Sequence, residues 1–255
     1  MTDVTIGAEA AAGLVLAMAR VGGFLVASPY LNQRLPTPGR IATTAGLGLF
    51  LATPVTPSHL ELAPLVTSVI LNIAAGLILG LLTSAIFGAF AAAGAMVDLS
   101  SGLSVSAVFD PSMGMQSTVF QRFFDVTAVT LFFVMGGHRL ILLGLATSTS
   151  VISLDGDITV NDGLAVLAAD TLARYTVASL QIAVPILAAL LLSELALGIA
   201  SRLLPQANVF LLGLPLKIMV VLLVVTVSVN SFPSVMSWFL DSMEDTFENV
   251  LLGLR

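Results

Sequence analysis

The sequence predicts an all-α membrane protein of kinked and uneven hydrophobic helices, and three observations carry that prediction. Of its 255 residues, 57% are hydrophobic and only 9% charged, whereas a soluble domain carries roughly 25% charged residues. The apolar residues gather into six runs, four of which are the wrong length for a simple span. Prolines and ionisable residues interrupt several of them.

A helix needs about 20 apolar residues to cross the hydrocarbon core. Ala10 to Leu31 fits that length, with Arg20 in its middle. The N-terminus carries Asp3 and Glu9 and no basic stretch, so this run reads as a retained membrane segment and not a secretory signal. Ile41 to Val55 is short and ends at Pro54. Leu62 to Val97 is too long for one untilted span. It contains Gly76 and Gly80 in a small-xxx-small register, which permits close helix approach, and Asn72, a polar group that needs a partner. Phe123 to Ser153 is long and holds His138 and Arg139. Gly163 to Ala200 would reach roughly 57 Å as one helix. It must kink, split or extend beyond the bilayer, and Pro185 is the natural break. Ala207 to Val229 is the last run, with Pro215 and Lys217 near its start.

The connections differ in charge. Arg34 and Arg40 share one, and Arg202 follows a later run; Asp155, Asp157 and Asp162 share another. By the positive-inside rule the basic connections face the cytoplasm, and the acidic connection and the tail face outward. The tail from Ser237 alternates apolar positions with Asp241, Glu244, Asp245 and Glu248 at helical spacing. It reads as a short amphipathic helix, solvated at the chain's end.

Composition also excludes functions. The net charge is −6, and nothing gathers Lys or Arg into a phosphate-binding face, so nucleic acid is not a partner. With no cysteine there is no disulfide, thiolate metal site or cysteine nucleophile. Asp98 with Asp110, and His138 with Asp125, are the only acid or base pairings worth weighing. No HExxH, GxSxG or phosphate-binding loop accompanies them. No enzyme, cofactor or metal site is expected. The rival reading is a small-molecule or ion transporter using buried Arg20, His138, Arg139, Asp170, Arg174, Glu194 or Lys217, because ionisable groups inside apolar spans default to functional candidates. Against it, Asp170 and Arg174 can pair at i, i+4, Arg139 can snorkel from a helix end, and no chain of acids follows one face.

Four stretches add up to more than composition. They are "RVGGFLVASPYL" from Arg20; "GAMVDLSSGLSVSAVFDP", with Gly94, Asp98, Gly102, Asp110 and Pro111; "GGH", Gly136, Gly137 and His138; and "SRLLPQANVFLLGLPLK", with Arg202, Pro205, Gln206, Asn208, Gly213, Pro215 and Lys217. In this order and spacing they resemble the FliR family of flagellar export proteins and their virulence-secretion counterparts, the SctT proteins, from about residue 10 to 232. One departure is Ala95, where the family commonly has glutamate.

The resemblance implies a non-catalytic subunit of the type III export gate in the bacterial inner membrane, at the flagellar basal body. Its implied partners are FliP-like and FliQ-like subunits, an FlhB-like protein and unfolded export substrates. It implies helical hairpins wound into a hollow assembly, with residues 10–200 FliP-like and 201–232 FliQ-like. It also implies that the stretch from Gly102 to Thr118 projects into the lumen as a plug.

The residues suit such a plug. Val105, Val108 and Phe109 can fill a narrow pore, and the flexible Met113 and Met115 seal without locking. Gly102 and Gly114 read as hinges, while Pro111 stiffens the middle and holds Asp110 out of helical geometry.

Overall fold

A computed structural model describes residues 2–28, 36–56, 61–103, 118–155, 162–203 and 209–253. The expected plug residues Val105, Val108, Phe109, Asp110, Pro111, Met113, Gly114 and Met115 lie outside that set, as do Pro205, Gln206 and Asn208.

The described residues are predominantly helical, without strands. The helices are α1 (Thr2–Ala27), α2 (Thr37–Leu51), α3 (Leu62–Ser101), α4 (Val119–Val134), α5 (Gly137–Val151), α6 (Asp162–Leu203), α7 (Val209–Ser228) and α8 (Phe232–Gly253). A 3-10 turn, Val229–Ser231, joins the last two. Among the described residues four stretches are long and apolar enough to cross a membrane, or five if α4 and α5 form one broken span. At 15 residues α2 is too short.

One expectation is narrowed and another needs correction. Of kinking, splitting or extending, α6 does not split: its 42 residues run through Pro185 as one helix. A proline removes one backbone donor, and the leucines and alanines around it are strong helix formers that keep the remaining ladder. The tail is not a solvated end. Met236, Phe239, Met243, Phe247 and Val250 are buried along one stripe of α8, and Asp241, Glu244, Asp245 and Glu248 stand on its open side. The amphipathic pattern was legible; its apolar stripe is packed within the chain. In addition, the run from Phe123 to Ser153 breaks at Gly136, where φ is +84°. That left-handed backbone favours glycine and ends one helix before the next begins.

The chain divides into two compact units. The first comprises residues 1–85, 136–172 and 240–255. In it α1 packs between α2 and the first half of α3. A Cβ on Gly76 would overlap the Arg20 carbonyl, and one on Gly80 would stand 2.8 Å from Ala27 Cβ. From the α1 side, Gly23 lies against the Ile73 carbonyl. Backbones this close need glycine on the contact face.

The second unit comprises residues 86–135 and 173–239. The end of α3 and α4 form an antiparallel hairpin. Its core is aromatic: Phe87 meets Phe132 with ring centroids 5.1 Å apart, Phe124 meets Phe232 at 5.1 Å and Tyr175 meets Phe239 at 5.0 Å. The ring pairs are steeply inclined, the arrangement that aromatic quadrupoles favour. A second hairpin pairs α6 with α7. It exposes Leu191, Leu195, Ile199, Met219, Leu223 and Val227, an apolar surface suited to lipid or to other membrane helices.

Candidate functional site

The best-defined polar structure lies at the base of the 104–117 connection, and it is built on Asp98. This residue sits in the last turn of α3 and is fully buried. Its backbone closes one helix. Gly102 takes φ +83°, its N–H donates to the Leu99 carbonyl at 3.3 Å, and the Leu103 N–H donates to the Asp98 carbonyl at 3.1 Å. This is a Schellman motif, which satisfies carbonyls that a helix end otherwise leaves open. The Ser101 hydroxyl adds a bond to the same carbonyl at 3.0 Å.

The Asp98 side chain opens the next helix. Oδ1 accepts the Phe120 N–H at 3.1 Å and Oδ2 accepts the Gln121 N–H at 2.7 Å. The Thr118 hydroxyl also donates to Oδ2. Phe120 and Gln121 lie in the first turn of α4, where amides have no partner within the helix. Thr118 stands at the N-cap position but makes no cap bond of its own. Asp98 therefore caps α4 from the neighbouring helix. The bonds are charge-assisted, and the carboxylate faces the positive end of the helix dipole. Gly94 makes room for this: a Cβ there would stand 2.6 Å from both Gln121 Cα and the Phe120 carbonyl oxygen. One residue thus serves both ends of the connection, its backbone carbonyl at the end of α3 and its carboxylate at the start of α4.

A second polar node lies in the other unit. Arg20 is fully buried in α1. Its Nε donates to Asn72 Oδ1 at 2.9 Å, and its Nη1 donates to the carbonyls of Ser148 at 2.7 Å and Ile152 at 3.0 Å. Nη2 has no hydrogen-bond partner among the described residues. Asn72 Nδ2 donates onward to Ser68 and Leu154 carbonyls at 2.7 and 2.8 Å. The charge meets neutral oxygens at the C-terminal end of α5, where the dipole is negative. Just beyond, Asp155 Oδ2 accepts the Thr56 amide and hydroxyl, both at 2.9 Å. Partial burial disfavours the Asp155 charge, but the bonds from Thr56, from its own amide and from Ser153 outweigh this and hold its carboxyl below the ordinary range.

The remaining sequence-derived candidates do not converge. His138, Arg139, Asp170, Arg174, Glu194 and Arg202 are exposed on this chain, Lys217 is half-buried, and Arg20 is the one transport candidate that is buried. Glu194 and Lys217 pair across the α6–α7 hairpin. Gly213, beside Leu197, and the exposed Pro215 belong to the same hairpin. Gly136 forms the turn into α5 and Gly137 is its first residue. No three His, Asp or Glu side chains among the described residues are placed to hold a metal ion. The partners that sequence reasoning missed are mostly backbone groups, which no residue pattern announces. Thr118 offered one signal, as a potential cap before an apolar run.

The fold and its two nodes define a class: an all-α membrane protein with long uneven helices and a clamped connection between two of them. The chain belongs to the family described as bacterial export proteins, family 1, whose model matches residues 11–243. Among curated proteins it is 36% identical over 162 residues to "Flagellar biosynthetic protein FliR" of Bacillus subtilis (strain 168), covering 60% of this chain and 61% of that protein. The protein of the same name from Caulobacter vibrioides is 26% identical over 225 residues, covering 86% of this chain and 89% of its own. "Surface presentation of antigens protein SpaR" of Shigella flexneri is 29% identical over 154 residues, covering 60% and 59%. The chain thus spans about three fifths of the length of the first and last of these relatives.

Proposed function

We propose that this chain is a non-catalytic subunit of a type III protein export gate of the flagellar kind, embedded in the bacterial inner membrane. The observation that carries the reading is the family match over residues 11–243, together with relatives named for flagellar biosynthesis. In this reading FliP-like and FliQ-like subunits, with an FlhB-like protein beside them, cover the apolar faces of α6 and α7. Unfolded substrates pass through the assembly.

The 104–117 connection acts as the luminal plug, and the Asp98 clamp supports that role. Asp98 fixes the feet of the connection on α3 and α4, so opening is confined to the residues between. Val108, Phe109, Met113 and Met115 supply the seal, and Gly114 the freedom to yield. Gly102 anchors one foot through its positive φ.

Tagged purification from native membranes in mild detergent, with partners identified by mass spectrometry, tests the subunit role. Recovery of FliP-like and FliQ-like chains in one stable particle is expected. A monodisperse particle of this chain alone, from cells expressing the whole operon, overturns it. Glycine replacement of Val108, Phe109, Met113 and Met115 then tests the plug. The complex should assemble while the membrane leaks ions; an intact seal removes the connection from the gate.

A further inference from the structure

A cleft of about 390 Å³ runs along α5 within the first unit, inside the range of about 300–1,000 Å³ that small-ligand sites occupy. Leu47, Phe50, Leu142, Leu143 and Ala146 line it, and Arg139 closes one end. Its walls are almost wholly apolar. Phe50 is 78% exposed and Leu143 is 51% exposed on this chain. Water is therefore a poor occupant, and an apolar one is needed.

Arg139 sets the chemistry at the end of the cleft. It rises from the first turn of α5, and its N–H donates to the Gly136 carbonyl at 2.8 Å. Its guanidinium makes no hydrogen bond or ion pair among the described residues. The side chain is exposed and lines the cleft, and an arginine can lay its aliphatic stem on an apolar wall while its charged head stays in water. The N-terminal end of α5 adds positive potential at the same place. A long apolar slot with one unpaired planar cation at its mouth matches one molecule in charge and shape. We infer that this cleft binds an anionic glycerophospholipid, with an acyl chain along Leu143 and Ala146 and the phosphate on Arg139. A guanidinium is the preferred partner for phosphate because its fork of N–H groups can bind two oxygens. The inference stands independently of the export role.

The test uses the purified full chain in mild detergent, exposed to phosphatidylglycerol or phosphatidylcholine and examined by native mass spectrometry. The wild-type chain should retain phosphatidylglycerol preferentially. Arg139→Gln should cut that retention about fivefold, the worth of one basic group against an anionic lipid, and leave phosphatidylcholine unchanged. Arg139→Lys should restore most of it. Ala146→Phe, which fills the slot, should abolish retention of both lipids. Equal retention of the two headgroups by the wild type, or no effect of Arg139→Gln, overturns the proposal. So does a photo-crosslinker at position 146 that captures a protein helix in native membranes in place of lipid.

Discussion

Asp98→Asn is the sharpest test of the clamp. The carboxylate accepts bonds from the Thr118 hydroxyl and from the Phe120 and Gln121 amides at the start of α4. Asparagine keeps one acceptor oxygen but turns an NH₂ group toward donors that then have nothing to meet. A hydrogen bond to a charged group contributes about 1.5–3 kcal/mol, and a helix cap about 0.5–2 kcal/mol. These overlap because they describe the same contacts, so we expect a loss of about 2–3 kcal/mol. In a chain of this size each kcal/mol lowers the melting midpoint by about 2–4 °C, which gives a drop of about 4–12 °C. Trp238, the sole tryptophan, packs against Tyr175 and Phe239 in the same unit and reports the transition by fluorescence. Limited proteolysis gives a second readout, because a released foot should expose the 104–117 connection to faster cleavage. Thr118→Val, which removes only the hydroxyl, should cost about 1 kcal/mol. An Asp98→Asn protein that melts with the wild type and is cleaved no faster would refute the clamp.

Two further outcomes follow from the packing and from Asp155. Gly76→Ala places a methyl on the Arg20 carbonyl and should destabilise by about 1–3 kcal/mol as overpacking, whereas Gly88→Ala meets nothing within 4 Å and should stabilise by roughly 0.5–1 kcal/mol; thermal melts of the two variants check the contrast, and equal effects refute it. For Asp155 the folded carboxyl titrates below its ordinary value of 3.8, so its contribution is complete above that pH and is lost as pH falls through the folded value. Asp155→Asn should therefore lower stability by less than about 1 kcal/mol, since the site is largely open to solvent. That deficit should hold steady through neutral pH and vanish in acid, in melts run as a pH series. A deficit that grows toward acid contradicts the assignment.

The helices were legible because their cause is local. Long apolar runs announce α1, α3, α6 and α7, and Gly76 and Gly80 announce a face of close approach. Where the reading failed, the cause was tertiary. The charge pattern of α8 fits a solvated helix and a packed one equally well, and burial of Phe239 and Phe247 depends on residues far away in sequence. Pro185 signals a break, but one missing donor is a weak argument against a helix with so many other bonds. The Asp98 site was half legible. The sequence set Gly94 and Asp98 together, yet the partners of that carboxylate are the amides of Phe120 and Gln121, and every residue but proline carries an amide.

The two nodes share one electrostatic logic. Arg20, a cation, is placed at the C-terminal end of α5, and Asp98, an anion, is placed at the N-terminal end of α4. Each charge meets the opposite pole of a helix dipole and the backbone groups that a helix end leaves unpaired. A lone charge in hydrocarbon-facing protein is costly, and such residues are read by default as transport groups. Here helix ends contribute to the compensation that such a charge needs. The two buried charges thus hold helix ends in place: Asp98 the start of α4, Arg20 the end of α5.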